Sequence, residues 1–152
     1  MENLSVLKKA LEKPGIGKRR HDLAESFKGR VDVPLKWVRT WIDAEWYVIG
    51  HKYLWLAAMN ACIGRPNAPV YAIYKALCKT DPDTFNAAIE ACRGLKIRPH
   101  VICWWYSSTK VILRIAALTA CIDKFDAPKE VIEEGIKDPD TRVRRIAEQI
   151  LG

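Results

Sequence analysis

The sequence predicts an all-α fold, a short right-handed α-solenoid of stacked helical pairs, and three observations predict it. The pattern Ala-Ala-x-x-Ala-Cys occupies residues 57–62, 87–92 and 116–121, at intervals of 30 and 29 residues, with a degenerate fourth copy at 146–151. A proline follows the first alanine of each full copy by twelve residues, at Pro69, Pro99 and Pro128. The residue types suit a helix, a turn and a second helix. Alanine and cysteine on successive turns let two helices approach closely, and proline is tolerated in a first turn, where its missing N–H is not needed. Self-similarity at such a period marks an architecture in which each unit buries its face on its neighbours.

In chain order, residues 3–13 form a short amphipathic helix ended by Pro14-Gly15, and 1–22 together make a basic N-terminal helix and linker. Leu23 to Gly29 and Pro34 to Asp43 read as a degenerate repeat over 23–50, with Trp46 to Gly50 leading into the next helix. The repeat 51–80 puts helix A at Lys52 to Ile63 and helix B at Pro69 to Lys79. The repeat 81–109 has its helices at Phe85 to Arg93 and Pro99 to Ser107, with Gly94 as a left-handed stop. The repeat 110–138 has them at Val111 to Asp123 and Pro128 to Lys137, and 139–152 is a terminal half repeat. Asp-Pro-Asp-Thr opens a repeat at 81–84 and again at 138–141, with Asp as the N-cap.

A chain of 152 residues, 49% hydrophobic and 28% charged, is expected to be one soluble globular domain whose core needs neither disulfide nor metal. No apolar stretch approaches the roughly 20 residues of a membrane span. The N-terminus meets charges too often for a secretory signal. Of the net charge of +7, residues 1–40 carry +5, from ten basic and five acidic side chains. The densest run, Lys18, Arg19 and Arg20 beside His21, is a candidate anion-binding patch, with a plain solvated surface as the alternative.

No cofactor or metal is expected. Gly15-Ile16-Gly17-Lys18 lacks the preceding glycine and the Ser/Thr of a phosphate-binding loop. Cys62, Cys92 and Cys121 occupy one repeat position, and stacked helices hold such positions about 9 to 10 Å apart, beyond the roughly 7 Å a disulfide allows. They read as small buried hydrophobes of a cytoplasmic protein. Cys78 and Cys103 have no CxxC partner, and His21, His51 and His100 are scattered over different repeats.

The final stretch, Asp138 to Gly152, resembles the short HEAT repeat of phycobilisome-lyase-type bacterial proteins, DPDxxVRxxAxxxLG. The resemblance implies a HEAT-like solenoid, and such families mostly bind proteins. One column departs from the pattern: the motif's arginine is present as Arg114 and Arg144 but replaced by Trp55 and Phe85. The family's Arg–Asp ladder cannot run through the middle, so an apolar contact is expected there.

Aligning the B helices on Pro34, Pro69, Pro99 and Pro128 assigns positions three, four, seven and eight after proline to the core. Positions two, five and six form the other face: Lys36, Arg39 and Thr40; Tyr71, Tyr74 and Lys75; Val101, Trp104 and Trp105; Glu130, Glu133 and Glu134. In HEAT-like stacks the B helices line the concave side, so this face is expected to be concave, basic at one end, aromatic in the middle and acidic at the other. Neighbours on a helix diverge by about 100°, so Trp104 and Trp105 cannot both enter one core, and at least one is exposed or covers a neighbouring repeat.

The leading expectation is a non-enzymatic module that binds a protein or peptide through this face. Nucleic-acid binding through the basic N-terminal half and the aromatics is the alternative, opposed by the glutamates. A third reading, an enzyme like the HEAT-like DNA glycosylases, would use Trp41 and Glu45 with Asp43 and Trp46 nearby. Self-association through the C-terminal helix is expected if that helix leaves an apolar face bare.

Overall fold

The computed structural model describes residues 3–13, 17–45, 48 and 50–152. Among these it forms ten helices and no strand. They are α1 (Leu4–Glu12), α2 (Lys18–Glu25), α3 (Leu35–Ile42), α4 (His51–Asn60), α5 (Val70–Leu77), α6 (Pro82–Cys92), α7 (Pro99–Tyr106), α8 (Val111–Cys121), α9 (Lys129–Ile136) and α10 (Thr141–Leu151). No described helix is long and apolar enough to cross a membrane. The expected Pro14-Gly15 stop and the Trp46 to Gly50 lead-in fall wholly or largely outside the described residues.

Local chemistry explains the helix ends. Asn3 caps α1 by accepting the Ser5 N–H at 2.8 Å, and Asp81 caps α6 by accepting from Thr84. The two Asp-Pro-Asp-Thr copies do not act alike. At the second, Asp140 is the N-cap and accepts from the Arg142 N–H at 2.8 Å, while Asp138 is buried. Two residues past the cysteine of each repeat the chain turns left-handed, at Gly64 (φ 79°), Gly94 (φ 77°) and Asp123 (φ 56°). Aspartate tolerates that region better than most side chains, which keeps the third turn like the other two.

Helices α2, α4, α6, α8 and α10 form one row, each packed on the next. The alanines and cysteines make this close approach feasible: Ala57, Ala58, Ala61 and Cys62, and their equivalents in α6 and α8, are buried. Helix α4 is buried from Tyr53 to Asn60, having neighbours on both sides and α3 against it. Each proline-led helix packs closely on the helix that follows, giving α3–α4, α5–α6, α7–α8 and α9–α10, and touches the preceding one far less. This shifts the expected unit by one helix, so the boundaries at 80/81, 109/110 and 138/139 cut through close pairs. Linker length is the reason: residues 78–81, 107–110 and 137–140 are short connections, whereas 61–69, 93–98 and 122–128 are longer.

The proline-led helices form the looser row. Helix α3 touches α5 and α7 touches α9, but α5 and α7 make no close backbone approach. At the N-terminus, the segment expected to be a linker is helical from Lys18 onward.

Candidate interaction face

The face displayed by α3, α5, α7 and α9 begins with exposed Lys36 and Arg39 on α3. Tyr71 follows on α5 at 69% exposure, then Trp104 on α7 at 58%, then exposed Glu130, Glu133 and Glu134 on α9. The predicted core positions of α3, α5 and α9 are buried or half-buried, as helical spacing requires. Tyr74 and Lys75 are only half-exposed, and Trp105 is buried at 1% exposure, so it is not part of the surface.

Helix α7 breaks the register of its row. Its fully buried residues are Ile102 and Trp105, while Ser107, expected in the core, is the exposed C-cap. The physical cause is the gap between α5 and α7, which aromatic rings fill. Trp105 stacks on Tyr74 at 6.3 Å and 25°, and Trp104 leans on the same ring at 5.2 Å and 35°. The Trp105 indole N–H is buried without an acceptor, a cost accepted for filling that gap. A hollow of ≈330 Å³ remains, lined by Tyr74, Trp104, Trp105, residues 107–109 and Leu113.

The surrounding charges are engaged. Lys75 pairs with Asp43 and lies 5.2 Å from the Tyr71 ring; the hydrogen bond to Asp43 raises its pKa against desolvation. Glu130 accepts a weak bond from the Cys103 thiol at 3.7 Å, and burial first, then that carboxylate, push the thiol pKa up. Behind the face, Arg114 grips Asp138 through Nε at 2.9 Å and Nη2 at 3.2 Å, and the Tyr106 hydroxyl donates to the same carboxylate at 2.9 Å. One Arg–Asp rung therefore exists. At the same spacing two repeats earlier stand Trp55 and Lys79, with the ammonium 4.3 Å from the indole centroid. A cation–π contact replaces the rung there, rather than the purely apolar one expected.

The other candidate sites are rearranged. Lys18 and Arg19 are exposed on α2, but Arg20 turns inward, donating to the carbonyls of Leu11 and Lys13 and lying 5.6 Å from the Tyr53 ring. It closes the end of α1 and is not offered to an anion. Asp83 lies 3.6 Å from His21 beside this run, so carboxylates dilute its charge. Trp41 is buried at 2% exposure, edge-on to Phe27, and its indole donates to Glu12 at 3.1 Å. With Asp43 engaged by Lys75, the Trp41 and Glu45 arrangement forms no open aromatic–carboxylate site; Trp46 lies outside the described residues. Helix α10 turns Arg142, Arg145, Glu148 and Gln149 outward and keeps Val143 and Ala147 buried, so its outer face is polar apart from exposed Leu151.

No group of histidine, cysteine and carboxylate side chains that could hold a metal occurs among the described residues. Sequence reasoning missed Phe125, which projects fully into solvent from the turn between α8 and α9. Its place between Lys124 and Asp126, two residues past left-handed Asp123, was the available signal. No family model, curated protein or solved structure matches the chain.

Proposed function

We propose that the chain is a HEAT-like α-solenoid module that binds a protein or peptide through the face of its proline-led helices. The observation that carries this reading is the exposure of Trp104, at 58%, on the same face as Tyr71, at 69%. Two large aromatics left in water, Trp104 braced by the Tyr74 ring and Tyr71 by the Lys75 ammonium, are the composition of a binding hot spot, because they bury much apolar area at little conformational cost. Basic Lys36 and Arg39 at one end and three glutamates at the other give the face a polarity that would orient a partner. The glutamates also work against a nucleic-acid backbone spanning the whole face. Five free thiols, three of them buried, fit a reducing compartment such as the cytoplasm.

The test is a displayed random-peptide selection on the full chain, followed by measurement of selected peptides against Trp104→Ala and against Lys36→Glu with Arg39→Glu. Peptides that bind the wild type and lose about tenfold or more on Trp104→Ala support the reading. Failure to select any such peptide, together with DNA binding that falls steeply with salt and with the Lys36 and Arg39 reversal, would refute it.

A further inference from the structure

We infer that the hollow between α5 and α7 seats a cationic side chain, and that the partner is a basic segment presenting two cations about three residues apart. This rests on the protein-binding reading above. No charged side chain lines the hollow. Its lining includes the rings of Tyr74, Trp104 and Trp105, which lean on one another, with Trp104 still 58% exposed. Ring faces of this kind attract a cation, arginine above all.

The remainder of the lining is uncharged, and the nearest negative charge stands on α9. Residues 107–109 lie at the C-terminal end of α7, and there the carbonyls of Ser108 and Thr109 already accept from Arg114 Nη1 at 3.1 Å, so the negative charge comes from elsewhere. Next to α7 stands α9, whose exposed side chains are Glu130, Glu133 and Glu134. The Glu130 carboxylate is 3.7 Å from the sulfur of Cys103, the residue preceding Trp104. An anionic ligand would meet like charge at the α9 carboxylates, and an apolar one would leave them unused.

Three of the protein's own nearby cations are already committed. Lys75 is held by Asp43 and lies over Tyr71, Lys79 lies over Trp55, and Arg114 is locked on Asp138. The Lys75–Tyr71 pair shows the face making internally, one turn from Tyr74, the contact that the hollow makes with a partner. Glu133 and Glu134 are exposed on α9, the helix next to α7. A segment crossing both helices meets the aromatic seat first and the carboxylates next, about 10 Å on, which an extended chain spans in about three residues.

The test uses the full chain and labelled ten-residue Gly/Ser peptides, followed by fluorescence anisotropy. One peptide carries two arginines three residues apart; others carry glutamates or leucines at those places, and a single-stranded oligonucleotide completes the set. The arginine peptide is expected to bind best, and to lose about tenfold both on Trp104→Ala and on Glu133→Lys with Glu134→Lys. These side chains are exposed, and circular dichroism checks that each variant keeps its helices. No binding of the arginine peptide, or binding indifferent to Trp104→Ala, overturns the inference; in the latter case charge alone holds the peptide. Binding of the leucine or glutamate peptide that depends on Trp104 while the arginine peptide fails overturns the cationic seat but leaves the protein-binding face. Oligonucleotide binding that depends on Trp104, without peptide binding, overturns both.

Discussion

Replacing Asp138 by alanine is expected to be among the most damaging single changes outside the apolar core. The carboxylate is 4% exposed and accepts from Arg114 twice, from the Tyr106 hydroxyl, and from the Asp140 N–H at 2.9 Å. The Arg114 side chain is itself only 13% exposed, so Asp138→Ala leaves a largely buried guanidinium without its counter-charge. Losing one partner of such a pair costs about 3 to 5 kcal/mol, which for a domain of this size lowers Tm by about 10 °C. Removing both charges, as Arg114→Met with Asp138→Leu, should recover part of that loss, because no unpaired charge remains. Acidity gives a second handle. Burial pushes the Asp138 pKa up, but hydrogen bonds from Arg114, the Asp140 N–H and Tyr106 outweigh it, and the net displacement is downward. A carboxylate whose folded pKa is depressed stabilises the fold above its unfolded pKa of about 3.9, and that contribution disappears as pH falls through the lower folded value. Thermal unfolding followed by circular dichroism at neutral pH, and then in steps of falling pH, reads both effects. An Asp138→Ala loss under about 1 kcal/mol, or a double variant no better than the single one, would refute the reasoning.

Gly135→Ala should destabilise by about 1 to 3 kcal/mol in denaturant titration despite alanine's better helix propensity, because the added Cβ would stand 2.9 Å from Leu118 Cδ1 and 3.0 Å from the Ala147 Cβ. Lys79→Gln should cost about 0.5 to 2 kcal/mol in the same titration by removing the cation from the Trp55 ring, whereas Lys79→Arg keeps it. Burial pushes the Cys62 thiol up to about 12 and that of Cys121 up to about 11, and raises that of Cys92 as well. Native-state alkylation at mildly alkaline pH, read by mass spectrometry, should therefore modify half-buried Cys78 first and Cys103 more slowly, because burial and Glu130 also raise the Cys103 thiol. It should spare the three buried thiols until the protein unfolds.

The sequence carried the helices because their signals are local. Alanine–cysteine spacing, proline twelve residues on and a left-handed stop after the cysteine each act within a few turns, and the helix centres follow them. The pairing of helices was also legible, in linker lengths, but the motif's conventional order obscured it: the short connections run from a proline-led helix into the alanine-rich helix after it. The Trp55–Lys79 contact lay in the repeat columns too, at the spacing of Arg114 and Asp138. The roles of the two Asp-Pro-Asp-Thr copies were not interchangeable because they stand two residues out of phase with the alanine pattern, six residues before it in one case and eight in the other.

The candidate site was the least local part and the least legible. A rule that assigns each position after proline to core or surface assumes that neighbouring helices stand equally far apart. Helices α5 and α7 violate that assumption, and the space between them is filled by rotating α7 until Trp105, a nominal surface position, becomes core. The same rotation leaves Trp104 out beside Tyr74 and opens the hollow at their edge. One irregular spacing thus explains an orphaned indole N–H, an exposed tryptophan and a recess of ≈330 Å³. If the gap is the cause, narrowing it should undo all three. Trp105→Leu would let α7 draw toward α5 and rotate back, so that Trp104 becomes shielded from a neutral quencher such as acrylamide. Trp104 quenching that stays at the wild-type level in a folded Trp105→Leu variant would mean that the exposure is written into α7 itself and not into its distance from α5.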